Sequence, residues 1–155
     1  MIVNYDEDIV LAKVASIRKC ILVIKNLWFE NDPEVPEWIR RDVTVLNIQR
    51  AVEACLDLAN HLIGANSLGL PGSAAEAVSI LIDQRILPSV EASVFRGMIG
   101  FRNIAVHNYR EIDGAIVSGI VHDHLGDLEH FATAVLDATL RRDRESPRSG
   151  PADAD

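Results

Sequence analysis

Apolar residues recur at intervals of three and four positions along most of the chain, which is the spacing of helices with one buried face. The pattern predicts helices over residues 6–29 and 37–65, a short helix that starts at Ser73, a fourth that starts at Pro88 and a fifth over residues 115–141. Proline-rich or glycine-containing segments separate them, and no segment alternates as a strand does. We therefore expect an all-α, up-and-down helical bundle of about five helices.

The two long helices carry apolar residues outside their main stripes. These additional residues are Ile9, Leu11 and Leu22 in the first helix and Leu46, Leu56 and Leu58 in the second. Such a surplus fits a surface that a second copy of the chain covers. We expect them to favour a homodimer.

The ends of the chain differ from its middle. Residues 1–142 carry the whole helical pattern and are expected to form one helical domain, whereas residues 143–155 lack apolar periodicity and are expected to be a disordered tail. The first residues lack the basic and apolar regions of a secretory signal, and no apolar run approaches the roughly 18 residues of a transmembrane helix. We therefore expect a cytoplasmic protein without a membrane partner.

The net charge of −8 excludes a general binder of polyanions, so binding to any nucleic acid would require a local basic site. An acidic surface would also suit a basic partner. The two cysteines, Cys20 and Cys55, fall in or beside apolar stripes and lack metal-ligand spacing. We interpret both as reduced core residues.

Most of the chemistry lies in one segment, RNIAVHNY at residues 102–109, at the end of the fourth helix. Arg102 supplies a permanent planar cation that can hold two phosphate oxygens. Histidine, here His107, is the side chain that exchanges protons near neutral pH. When the 2′-hydroxyl of an RNA attacks the neighbouring phosphate, the reaction needs a cation that holds the phosphate and a group that transfers protons. It demands no metal or cofactor. The competing interpretation is a surface arginine beside a hydrogen-bonded histidine.

Helical geometry restricts how the motif can work. Arg102 and His107 are five residues apart, so they point about 140° from each other on a regular helix. Either the helix ends or bends near His107, or a second chain faces the motif across a dimer axis. Tyr109 is predicted to share the face of Arg102, about 10 Å away along the axis. Asn103, one turn before His107, could orient the imidazole through a hydrogen bond.

The other histidines are interpreted as structural. His122 and His124 are two positions apart and point about 160° from each other on a helix, so they are not expected to chelate one metal ion. His124 lies on the apolar stripe and is predicted to be a core or interface residue. His61 and His130 are interpreted in the same way.

Three groups of charged residues have two possible interpretations each. Glu53 and Asp57 are one turn apart and could hold a cation or shape a cleft, but pairing with an arginine such as Arg50 is the favoured interpretation. Arg40 and Arg41 are interpreted as solvated charges at a helix end, as is the Arg pair at residues 141–142. They would serve RNA only if the fold brings them to the motif.

The motif segment resembles the motif helix of HEPN-superfamily ribonuclease toxins, in the HepT-like branch with the signature Arg-x-x-x-x-His-x-Tyr. The resemblance covers roughly residues 5–140 and includes the second helix, where residues 45–59 read VLNIQRAVEACLDLA. The stretch around Arg50 is its distinctive part. Asn108 departs from the acidic residue often seen between the motif histidine and tyrosine, at a position that varies in the family.

The resemblance implies a homodimer whose two motifs face a shared cleft, and metal-independent cleavage of RNA, either tRNA or mRNA. It implies that Arg102 and His107 are catalytic, with Asn103 in support, in the toxin of a type II or type VII toxin–antitoxin pair. The cognate antitoxin would be a minimal nucleotidyltransferase that adds AMP to Tyr109, and the added charge and bulk would block RNA at Arg102. The alternative is a non-catalytic helical binding partner of that nucleotidyltransferase, which the acidic net charge favours.

Overall fold

The computed structural model describes residue 2 and residues 4–30 and 32–141, so the predicted tail at residues 143–155 lies outside the described residues. The described residues form six α-helices, which are α1 Glu7–Phe29, α2 Glu37–Ala65, α3 Ala74–Asp83, α4 Ala92–His107, α5 Gly114–Asp123 and α6 Leu125–Leu136. No strand occurs in these ranges, and the predicted all-α helical bundle is confirmed. None of the helices in the described part of the chain is both long and hydrophobic enough to cross a membrane.

The two long helices begin and end close to their predicted bounds. α1 starts after Asp6, whose carboxylate accepts the backbone N–H of Ile9. The backbone N–H of Asp6 donates to Nε2 of the half-buried His61 at 2.9 Å, which ties the start of α1 to α2. α2 follows Pro36 directly and contacts α1, α3, α4, α5 and α6. It is therefore the central element of the bundle.

The predicted stripe of α2 forms the centre of the core. Its buried side chains are Val45, Ile48, Val52, Cys55, Ala59 and Leu62. Cys20 and Cys55 are buried free thiols, in agreement with the prediction, and burial raises the pKa of both. The ring centroid of Phe95 in α4 lies 5.1 Å from that of Phe131 in α6, so the motif helix is held against the C-terminal helix.

The prediction of one continuous fifth helix is wrong. The chain leaves the helical conformation at His124, between α5 and α6, and the last turn, Asp137–Arg141, is a π-helix. The interruption leaves 42% of the His124 side chain exposed and places Leu125 in the core. His124 Nδ1 lies 2.9 Å from an oxygen of Asp127. Neither His124 nor His130 is therefore a core residue, since 68% of the His130 side chain is also exposed.

Part of the apolar surplus is buried within the chain. Ile9, Leu11, Leu22 and Leu46 are exposed as expected, but Leu56 and Leu58 are buried. The prediction for these two leucines is wrong because neighbouring helices cover α2 on more than one face. The surface available to a second chain is correspondingly smaller.

We expect Leu58→Ala to lower the free energy of unfolding by about 2–5 kcal/mol, because it removes buried methyl groups and leaves a cavity. Urea unfolding followed by circular dichroism measures this change. Leu70→Ala is the matched control, since the Leu70 side chain is 98% exposed whereas that of Leu58 is 0% exposed. The control should stay within about 0.5 kcal/mol of the parent. Equal effects of the two substitutions would contradict the central position of α2.

Candidate functional site

The motif segment ends α4 and continues into a tight turn. His107 is the last residue of the helix, and the N–H of Asn108 donates to the carbonyl oxygen of Ile104 at 2.7 Å. Residues Tyr109–Glu111 form a single 3-10 turn, and the buried Ile112 anchors its end. The helix therefore ends at His107, as one of the two arrangements foresaw, but it stays regular from Arg102 to His107.

Arg102 faces α2. Its Nη1 lies 3.6 Å from an oxygen of Glu53, its side chain is 23% exposed, and its Nε has no hydrogen-bond partner among the described residues. The predicted pairing of Glu53 with an arginine is therefore confirmed, and the arginine is Arg102 of the motif rather than Arg50. Asp57 pairs with Lys13 instead, at 2.6 Å.

His107 lies on a different side of α4 from Arg102. The helix is regular through both positions, so the two side chains point about 140° apart, Arg102 toward α2 and His107 toward solvent. The hydrogen bond considered between Asn103 and His107 is absent in the described part of the chain, and Asn103 is exposed. The motif of one chain therefore does not bring its cation and its imidazole to one small group.

Tyr109 contacts α2 at a second place. Its phenolic O–H donates to Oδ1 of Asp42, and Nη2 of Arg41 donates to the carbonyl oxygen of Ile112 at the end of the same turn. Tyr109 lies beyond the motif helix, because α4 ends two residues before it, but its ring and Arg102 are both directed toward α2, in agreement with their predicted shared side.

Arg40 and Arg41 are half-buried, so their interpretation as solvated charges is wrong. Nη2 of Arg40 lies 3.5 Å from the carbonyl oxygens of Asp32 and Val35. The Nε atoms of both arginines are buried and have no hydrogen-bond partner in the described ranges. Arg41 holds the turn that follows the motif, a role that the sequence analysis missed.

Asp42 and Glu53 position the motif segment from one face of α2. They are eleven residues apart, which places them within about 20° around the helix and about 16 Å apart along it. Their partners Tyr109 and Arg102 follow in the reverse chain order, so the motif segment runs antiparallel to α2. Two acidic residues eleven positions apart on one predicted helix are the sequence signal for this arrangement.

The electrostatic surroundings of Tyr109 keep its phenol protonated. The side chain is 39% exposed. Its partial burial raises the pKa of the phenol, the hydrogen bond to Asp42 and the negative charge of Asp42 raise it further, and the cation of Arg41 opposes the rise. At neutral pH the phenol is therefore a donor and a poor nucleophile.

A groove of about 370 Å³ runs between α1 and α2 beside Glu53. Its lining includes the cations Lys13, Lys19 and Arg50. The same lining includes the carboxylates of Glu53 and Asp57, and Asp57 pairs with Lys13, so the groove carries one more positive than negative charge next to the contact between Arg102 and Glu53.

His122 and His124 engage different neighbours. The ring of His122 packs edge-on against Trp28 and Phe29, whereas His124 contacts Asp127. Within the ranges that the structure describes, no group of three or more His, Cys, Asp or Glu side chains is arranged to hold a metal ion.

An all-helical chain that presents this arginine and histidine at the end of a helix belongs to the HEPN class of endoribonucleases. The family model described as "Ribonuclease HepT-like" matches residues 15–135. The chain therefore belongs to the HepT-like ribonuclease family, and the resemblance seen in the sequence is confirmed.

Known relatives are similar over nearly their whole length. The mRNA nuclease HepT of Shewanella oneidensis is 34% identical over 128 residues, which are 83% of this chain and 96% of the relative. The solved structure of a tri-AMPylated Shewanella oneidensis HEPN toxin in complex with MNT antitoxin aligns with a TM-score of 0.77 at 34% identity, over 86% of this chain and 99% of that chain. A crystal structure of a toxin–antitoxin with AMP-PNP gives a TM-score of 0.76 at 32% identity, over 84% and 99% of the two chains.

We expect Glu53→Gln to increase the affinity for RNA by about 2- to 5-fold, because a half-exposed ion pair is worth up to roughly 1 kcal/mol and the neutral amide no longer competes with phosphate for Arg102. Fluorescence anisotropy with a short single-stranded RNA, in a His107→Ala background, measures the affinity. Glu129→Gln is the matched control, since it removes the same charge but frees Arg18, which pairs with Glu129 at 2.9 Å. An equal gain in both variants would show that net charge alone is responsible.

Proposed function

We propose that this chain is the RNA-cleaving toxin of a toxin–antitoxin pair, and that it acts as a homodimer in which Arg102 of one chain and His107 of the other flank the same phosphate. The observation that carries this proposal is that the two side chains leave one regular helix on different faces. In a symmetric dimer, the second chain supplies a His107 for the Arg102 of the first chain, and the first chain does the same for the second.

The roles follow from the chemistry of the two side chains. His107 removes the proton from the 2′-hydroxyl and returns a proton to the leaving 5′-oxygen. The fork of Arg102 binds the phosphate oxygens and stabilises the charge that develops on them. Asn103, exposed beside Arg102, is a supporting residue that contacts RNA or the second chain. These steps use protons and hydrogen bonds, so the proposed reaction is independent of metal.

Exposed apolar side chains on α4 support a dimer formed through the motif helix. Ile104 is 42% exposed and Val106 is 49% exposed, and both lie between Arg102 and His107 in the chain. Val106 points about 160° away from Ile104, whereas Ile104 lies within about 60° of His107 around the helix, so a second copy that covers Ile104 removes apolar surface from water and brings its own motif close to His107. The proposed interface and the proposed site are therefore adjacent.

The substrate is a single-stranded RNA whose backbone follows the basic groove between α1 and α2. Three cations and two carboxylates line that groove, so it carries one more positive than negative charge in a chain whose net charge is −8. The Shewanella oneidensis relative is named an mRNA nuclease, so mRNA is the first substrate to test and tRNA is the second. Both substrates are found in the cytoplasm, where we propose that the protein acts.

A minimal nucleotidyltransferase is the proposed antitoxin, since the similar Shewanella oneidensis toxin is described as tri-AMPylated and bound to an MNT antitoxin. In this chain the phenol of Tyr109 is the proposed acceptor of AMP. The first AMP would lie beside Asp42 and Arg41, about 16 Å along α2 from the contact of Arg102. Its bulk and negative charge would obstruct RNA without pairing directly with Arg102.

We expect the pure dimer to cleave RNA in the presence of EDTA, and His107→Ala to lower the cleavage rate by about 10²- to 10⁴-fold, because a general acid–base group is lost. Gel analysis of a labelled mRNA fragment measures the rate. Loss of cleavage in EDTA would overturn the metal independence, and equal rates for parent and variant would overturn the role of His107.

A mixture of variants tests the cross-chain geometry in the same assay. Arg102→Ala and His107→Ala chains are each inactive alone, but their heterodimer contains one intact pair. Random exchange of subunits should therefore recover about a quarter of the parent activity. A mixture as inactive as its components would exclude a site built from both chains.

We expect co-expression with the neighbouring nucleotidyltransferase to add AMP to the parent chain but not to Tyr109→Phe, because the substitution removes only the acceptor hydroxyl. Intact-mass spectrometry detects the added groups. Continued modification of Tyr109→Phe would make the tyrosine assignment wrong. The non-catalytic alternative predicts the same modification but no cleavage in the preceding assay.

A further inference from the structure

The hydroxyl of Tyr109, the proposed acceptor of AMP, is already hydrogen-bonded to a carboxylate that can act as a base. Tyr109 donates its phenolic proton to Oδ1 of Asp42, a half-buried carboxylate on the rigid helix α2. The ring itself is 39% exposed, so it remains open to a partner protein. A helical residue holds its carboxylate at a defined place relative to the turn that carries Tyr109.

The surroundings of Tyr109 make such a base necessary. Burial and the contact with Asp42 raise the pKa of the phenol, so little phenolate is present at neutral pH. A neutral hydroxyl is a weak nucleophile until an adjacent group removes its proton. The proton must therefore leave during the attack, and Asp42 is the group to which it is already donated.

We infer that Asp42 is the catalytic proton acceptor when Tyr109 is modified with AMP, an inference that rests on the proposed function. The phenolic oxygen attacks the α-phosphorus of ATP, and the new oxygen–phosphorus bond forms as the bond to the pyrophosphate oxygen breaks. Pyrophosphate leaves, and the phenolic proton passes to the carboxylate of Asp42 and then to water. The toxin thus supplies one catalytic group for its own inactivation.

The charge of Arg41 also supports this assignment. Its positive charge favours the ionised form of Tyr109, and its guanidinium is held by the carbonyl oxygen of Ile112. Negative charge that develops on the phenolic oxygen during the attack is therefore stabilised by a cation that is already in place.

We expect Asp42→Asn to lower the initial rate of AMP addition to Tyr109 by about 10²-fold. The reaction contains the full chain, its cognate nucleotidyltransferase, ATP and Mg²⁺, and intact-mass spectrometry follows it. The amide oxygen of the variant still accepts the hydrogen bond, so the position of the ring is kept, while the base and the negative charge that raises the pKa of the phenol are lost together. The ratio of parent to variant rates should fall as the pH rises, because direct ionisation of the phenol replaces the base. This ratio cancels the pH dependence of the nucleotidyltransferase itself.

Asp57→Asn is the matched control, since it is the same substitution about 22 Å further along α2, at a carboxylate that pairs with Lys13. It should keep the parent rate, and Asp42→Glu should recover part of the rate because it restores a carboxylate. Thermal melting compares the folding of all variants, and Asp42→Glu decides the result if the amide variant is unstable. Parent-like modification of Asp42→Asn would overturn the inference, whereas an unmodified Tyr109 in the parent chain would overturn the proposed function.

Discussion

The antiparallel contact between the motif segment and α2 determines the geometry of the site. Glu53 meets Arg102, and Asp42 accepts the hydrogen bond of Tyr109. Both contacts are partly exposed, so each contributes little to the free energy of unfolding. Their effect is to place side chains, while the buried stripe of α2 supplies the stability. An element at the centre of the core therefore also holds the chemistry at the surface.

The sequence predicts the long helices well because their boundaries depend on local chemistry. Pro36 precedes α2, Asp6 caps α1, and the apolar spacing between such signals is unambiguous. No proline near His124 marks the interruption between α5 and α6 in the sequence. A continuous helix would satisfy the same periodicity, and the burial of Leu125 beside the interruption is a tertiary feature that periodicity does not reveal.

The candidate site also has a part that the sequence predicts and a part that depends on packing. The residues of the motif could be found from their spacing, because they lie in one short segment. The turn at Tyr109 was foreseeable only in part, since Asn108 is a residue type that often ends a helix. The contacts of Asp42 and Arg41 depend on how α2 is aligned with α4, which a single sequence does not reveal.

The eleven-residue interval between Asp42 and Glu53 also limits how this protein can change through evolution. Inserting one residue between them would rotate one carboxylate by about 100° relative to the other and break a motif contact, whatever residue was inserted. The length of this part of α2 is therefore under as much constraint as its composition. The link between α2 and α3 contributes no side chain to these contacts, so insertions and deletions are better tolerated there.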